Sequence, residues 1–135
     1  MNFLELMGWT GYIYLDELLE PEDNSLRLII NRSKTDKDSD YVEHLPLVQF
    51  DFDTYISYSI INESFDNVDE NEIYRGKVFR IYTQSNYLEF IKSSTLERED
   101  LCPKENYVHY QFPCLNHTID VISCEEPKIT ITPAK

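Results

Sequence analysis

Cys114-Leu-Asn-His117 is the one place in this chain where two metal-ligating side chains stand at C-x-x-H spacing. A zinc site needs four converging ligands, ordinarily supplied as two close-spaced pairs. Cys102, His109 and Cys124 are the remaining candidates, and they do not form a second pair. The same residues offer a Cys–His nucleophile, built from Cys114 or Cys124 with His109 or His117. A reactive thiolate needs a helix N-terminus or a basic neighbour to lower its pKa. Nothing in the sequence places one there, and Cys124, on an alternating apolar stretch, reads as a small core residue. Carboxylate pairs for glycoside hydrolysis can be drawn from 25 acidic residues, so any choice carries little information. With only three glycines, a glycine-rich phosphate cradle is excluded. No metal, no cofactor and no enzymatic reaction are expected.

Charge is more informative. The net charge is −13, and residues 1–72 carry 17 acidic and 4 basic side chains, the whole of the excess. From residue 73 onward the two signs balance. Phosphate backbones and anionic membrane surfaces demand the opposite sign, so neither nucleic acid nor membrane is an expected partner. A basic protein, steered in by the field, is. The candidate contact surface is an acidic lip, Glu63, Asp66, Asp69, Glu70 and Glu72, with Asp51 and Asp53 upstream and Tyr55 and Tyr74 as aromatic anchors. Tyrosine suits that role because it offers large contact area at low entropy cost. A second arrangement is a ligand pocket lined by Tyr58, Tyr82, His109 and Tyr110. For all these tyrosines the ordinary alternative is a sheet core with hydroxyls reaching the rim.

These residues must be held by the elements around them. Tyr55 to Ile61 is β-branched and aromatic without Gly or Pro, and predicts a strand near the centre of a sheet. Asn62-Glu-Ser-Phe-Asp66 ends it in a turn. Upstream, Tyr12–Leu15 and Leu26–Asn31 flank the turn cluster Glu20-Pro-Glu-Asp-Asn-Ser25 and predict a hairpin. Residues 31–41 are the most polar stretch and predict an exposed loop. Val42 to Asp53 and Lys77 to Thr83 give further strands. Ser85 caps a predicted helix over about residues 85–93, and Ser94-Thr-Leu-Glu97 has the capping-box pattern of a second short turn reaching Leu101. Tyr107–Phe112, Thr118–Cys124 and Lys128–Thr132 complete the strands. The sum is a single α+β domain over residues 1–135. It is predominantly antiparallel, a sandwich or curved sheet of seven to eight strands with one principal helix.

Three cysteines at irregular spacing point to reduced thiols rather than a disulfide framework. The N-terminus lacks a basic segment, and Glu5 interrupts its apolar run, so no signal peptide is expected. The triplets at Asn31, Asn62 and Asn116 then read as chance matches to the glycosylation pattern. No apolar run is long enough to span a bilayer.

Tyr58-Ser-Ile-Ile-Asn-Glu-Ser-Phe65, Tyr82-Thr-Gln-Ser-Asn-Tyr-Leu-Glu-Phe90 and Leu115-Asn-His-Thr-Ile-Asp-Val-Ile-Ser123 resemble small bacterial proteins of the immunity type. These are the partners of contact-dependent and other polymorphic toxins. The resemblance covers about half the chain, contains no catalytic motif and fixes no binding residue. It implies a cytoplasmic, single-domain inhibitor without enzymatic activity. Joined to the charge, it leads to the expectation of an acidic protein that occludes a basic toxin nuclease, its carboxylates standing in for phosphates. The alternative is a β-rich small-ligand-binding or minor enzymatic domain with an aromatic pocket.

Overall fold

The computed structural model describes residues 1–34, 45–67 and 69–132. A short helix α1 (Phe3–Met7) precedes β1 (Tyr12–Leu19), β2 (Leu26–Ser33) and β3 (Leu47–Phe52). Next come β4 (Ser57–Asn62), a 3-10 turn at Glu63–Phe65, β5 (Ile73–Arg75) and β6 (Arg80–Gln84). Helix α2 (Asn86–Ser94) leads through a second 3-10 turn to β7 (Val108–Pro113), β8 (His117–Ser123) and β9 (Lys128–Thr132). These strands form two wholly antiparallel sheets, one in the order β1-β2-β3-β9 and the other in the order β4-β8-β7-β6-β5. The expected class, α+β with predominantly antiparallel strands and one principal helix, is what the chain adopts.

Alternation along the strands builds the core. In the first sheet Leu26, Leu28 and Ile30 of β2 and Val48, Phe50 and Phe52 of β3 are buried. They meet Tyr110, Phe112, Ile119 and Val121 from the second sheet. Phe3 plugs this interface, edge-on to Phe50, Phe79, Tyr110 and Phe112 at centroid distances of 4.9–6.3 Å. Asn2 caps α1, and Glu126 accepts the Phe3 N–H at 2.8 Å, which anchors the N-terminal segment over the core.

The outer face of the second sheet is covered at one end by α2. Ser85 caps it, its Oγ accepting the Leu88 N–H at 3.0 Å. Leu88 and Ile91 pack with Cys102, Tyr107 and Ile122 as a smaller second cluster. Gly76, at φ +96°, makes the tight turn from β5 into β6, where a Cβ would lie 2.1 Å from the Phe79 carbonyl oxygen.

Four expectations are corrected. The Tyr55–Ile61 strand is β4, an edge strand, because the short link from β3 carries the chain over to the margin of the other sheet. Apolar composition reports burial of a face, not a strand's rank in the sheet, and the outer half of β4 is exposed. The capping-box residues Ser94 to Glu97 start no helix. Instead Thr95 ends α2, its Oγ1 donating to the Ile91 carbonyl, and an isolated bridge between Arg98 and Cys102 closes a turn. The polar stretch 31–41 enters β2 as far as Ser33, and its positions 35–41 lie outside the described residues. Finally, Cys102 and Cys124 are joined in a disulfide that ties the loop after α2 to the end of β8, with Cα atoms 6.2 Å apart. Their separation of 22 residues in sequence hid a pairing that only the folded sheet creates.

Candidate functional site

The sequence of the second sheet places a polar row across its outer face. Ser59 of β4 pairs with Asp120 of β8, Asp120 with Gln111 of β7, and Gln111 with Arg80 of β6. The next row on that face runs Ile122, His109, Tyr82 and Tyr74. Side chains two apart on a strand share a face, so these rows are consequences of register. Two segments rise above them. One is α2, and the other is made by acidic residues between β4 and β5, Asp66 at the start of β8 and Asp69 and Glu72 beside α2. Asp66 accepts from Thr118 Oγ1 at 3.0 Å. Asp69 and Glu72 meet the N-terminus of α2: Asn86 donates its side-chain amide to Asp69 at 2.7 Å and its backbone N–H to Glu72 at 2.8 Å.

Between these walls lies a cleft of about 370 Å³. Among the described residues its lining carries the carboxylates of Asp66, Asp69, Glu72 and Asp120 and the guanidinium of Arg80. Arg80 lies along the floor: its Nε donates to the Lys77 carbonyl at 2.7 Å, its Nη1 donates to Gln111 Oε1 at 3.4 Å, and its guanidinium lies 4.2 Å over the Tyr74 ring. Among the described residues, none of the acidic side chains of the cleft forms an ion pair with a lysine or arginine. Hydrogen bonds from the Asn71 backbone and the Asn86 amide hold the Asp69 carboxyl below its ordinary range. Burial pushes the Tyr82 and Tyr87 hydroxyls up, so both remain neutral donors at the cleft.

Below this surface a buried network fixes the floor. The Ser85 hydroxyl caps α2 and lies 2.7 Å from His109 Nδ1. His109 Nε2 lies 2.6 Å from Asp120 Oδ1, which also accepts from Gln111 Nε2 at 3.0 Å. The Tyr82 hydroxyl donates to Gln111 Oε1 at 2.9 Å, and its ring stacks on His109 at a centroid distance of 4.7 Å. One assignment of protons satisfies the chain: Ser85 donates to Nδ1, and the Nε2–H donates to Asp120. Ser85, His109 and Asp120, hydrogen-bonded in succession, have the composition of a hydrolytic triad, but Ser85 is 2% exposed and its oxygen is spent on a helix cap. This network positions the sheet floor and α2; it presents no nucleophile to the cleft.

The two arrangements expected from sequence thus meet at one place. Asp66, Asp69, Glu72 and Tyr74 of the lip line the same cleft as Tyr82 and His109 of the pocket. The others are elsewhere. Asp51 is paired with Arg27 at 2.7 Å, and Asp53 lies near Arg27 and Lys128 in a separate hollow. Tyr55 donates its hydroxyl to Glu20, beside another acidic loop. Glu63 and Glu70 are exposed outside the cleft. Tyr58 and Tyr110 point to the opposite face, toward the main core, which removes them from the pocket. Tyr110 directly follows His109, so strand alternation alone puts the two on opposite sides. Sequence reading missed Asp120, Gln111, Arg80, Asn86 and Tyr87. The alternation of Asp120 between Ile119 and Val121 was the available signal, since a carboxylate inside a buried strand needs a partner.

Cys114 is buried in the main core, where burial pushes its thiol up to about 12, and it is remote in character from a nucleophile. Among the described residues no group of three or more His, Cys, Asp or Glu converges as metal ligands, and no helix is long and apolar enough to cross a membrane. Compared with protein-family models, with curated proteins and with solved structures, the chain matches none.

Proposed function

We propose that this chain is an acidic, non-enzymatic binding protein that blocks a basic partner by taking its lysine or arginine side chains into the cleft. The partner we propose is a bacterial toxin nuclease, which makes the chain an immunity protein acting by occlusion. The observation that carries this reading is the charge of the cleft: Asp66, Asp69 and Glu72, together with Asp120 held by His109 and Gln111, face the guanidinium of Arg80, and among the described residues no lysine or arginine forms an ion pair with these acids. A nuclease active site is built to receive phosphates, so a surface of fixed carboxylates is complementary to it. Tyr74 and Tyr87 supply aromatic area beside the charges.

We place this activity in the bacterial cytoplasm. Cys102 and Cys124 set a condition on that placement, because a reducing compartment keeps such a pair as adjacent thiols.

The experiment is capture from bacterial lysate at low salt with the wild-type chain and with an Asp66→Asn, Asp69→Asn, Glu72→Gln variant. A basic protein retained by the wild type and lost by the variant supports the reading. Equal retention by both overturns it. The second reading, a small-ligand or minor enzymatic site, is favoured by one observation: the cleft falls in the size range of small-molecule pockets and carries three tyrosines. A rise in melting temperature with small aromatic amines, with no basic protein captured, selects that reading.

A further inference from the structure

We infer that the free edge of β4 receives an extended segment of the basic partner as an added strand, with lysine or arginine at alternate positions. The inference rests on the proposed function and names the way that partner is held. Exposed sheet edges invite pairing with other chains, and proteins ordinarily blunt them with bulges, lysines, prolines or short length. The other margins of this molecule carry such devices. Strand β1 has a register shift between Leu15 and Glu17. Strand β5 has three residues and a shift between Ile73 and Tyr74. Strand β9 opens on the exposed Lys128.

Strand β4 carries none of them. Its six residues pair with β8 in unbroken register from Ser57↔Ile122 to Asn62↔His117. Among the described residues nothing pairs with its other side. Ile60 and Ile61 are 42% and 39% exposed, and Phe65 just beyond is 79% exposed. An unpaired edge that exposes two isoleucines is a recognition surface or a hazard.

Charge and continuity with the cleft select the occupant. Residues 57–72 contain five acidic side chains and no lysine or arginine. Ile61 is itself part of the cleft lining, and Ser59 lies beside Asp120 in register. A strand added about 4.8 Å beyond β4 places every second side chain on the cleft face. There cationic ends reach toward Asp66, just beyond the end of β4. The intervening side chains fall on the opposite face beside Tyr58 and Ile60, where apolar residues fit. Main-chain hydrogen bonds would then supply affinity, and the alternation would supply specificity.

The test uses a capped peptide alternating lysine and valine, and two derivatives N-methylated on one or the other alternate set of residues. N-methylation removes backbone donors on one edge and leaves every charge in place. The expected result is binding of the parent and a loss of about tenfold or more with one derivative but not with the other. Those alternate amides of Ser57–Asn62 that face away from β8 should also gain protection from hydrogen exchange when the parent binds. Equal binding by both derivatives and the parent overturns strand addition, while leaving the cationic cleft in place. No binding by the parent at low salt overturns the inference together with the reading beneath it.

Discussion

His109 and Asp120 stand eleven residues apart in the sequence and meet with Nε2 and Oδ1 2.6 Å apart, almost fully shielded from water. Their strands pair so that each side chain emerges on the outer face of the second sheet, one row apart. This contact joins α2, held through Ser85, to the acidic floor of the cleft. Without it Asp120 would be a buried carboxylate supported by Gln111 alone.

Replacing His109 with alanine should therefore destabilise the fold by about 3 kcal/mol, the order expected when one member of a buried hydrogen-bonded pair is removed. Urea unfolding followed by circular dichroism measures it. A loss within about 0.5 kcal/mol, the range of ordinary surface substitutions, would show that the contact is not structural.

Ser85→Ala removes an N-cap and the partner of His109 Nδ1 in one step. A cap alone is worth about 1 kcal/mol, and an unsatisfied buried imidazole nitrogen adds a comparable amount. A total of about 2 kcal/mol is expected. Loss of any hydrolytic activity, rather than of stability, would instead make Ser85 a nucleophile.

Alkaline pH should weaken the fold in a defined window. Burial pushes the Cys114 thiol from 9.0 to about 12. Burial first, then the charge of Glu126, raises the Tyr110 hydroxyl from 10.0 to about 12. In the unfolded chain both groups release their protons earlier, so above pH 9 the unfolded state binds fewer protons and stability falls as pH rises. The contribution is complete below the unfolded value and gone above the folded one. Each group should add a slope of about 1.4 kcal/mol per pH unit inside its own window. Cys114→Ala should flatten the onset, which begins one unit below that of tyrosine. An unchanged slope in that variant would contradict the assignment.

How much of this was legible in the sequence follows from what a strand pattern can report. Alternation at Leu26–Ile30 and at Tyr107–Phe112 identified strands and their buried faces, and Ser85 announced the start of α2. Alternation says which side of a strand is apolar, but strand order is set by links and register. For that reason the Tyr55–Ile61 pattern predicts a central strand, whereas β4 lies at the sheet edge. Grouping by charge likewise joined Asp51 and Asp53 to Asp66, Asp69 and Glu72, although Asp51 answers Arg27 and only the later acids reach the cleft. Gln111 and Arg80 carry no motif at all. They enter the site because register sets them in line with Asp120.

Thiol counting checks the covalent link and the compartment together. Purified without reductant, the native chain should show no reactive thiol, since Cys102 and Cys124 are joined and Cys114 is buried. Unfolding without reductant should expose one thiol, and unfolding with reductant should expose all three. Rapid alkylation of intact bacterial cells tests the cytoplasmic placement. Cys102 and Cys124 should be labelled there after unfolding, and a cellular pool with both protected would contradict that placement.

The most direct measurement is the association rate of the captured basic partner with the wild-type chain at low and at high ionic strength. Fixed carboxylates that steer a cation should give a rate that falls by about tenfold or more as salt screens the field. A rate that stays flat across the two conditions would mean that the carboxylates around Asp66, Asp69 and Glu72 do not draw the partner in.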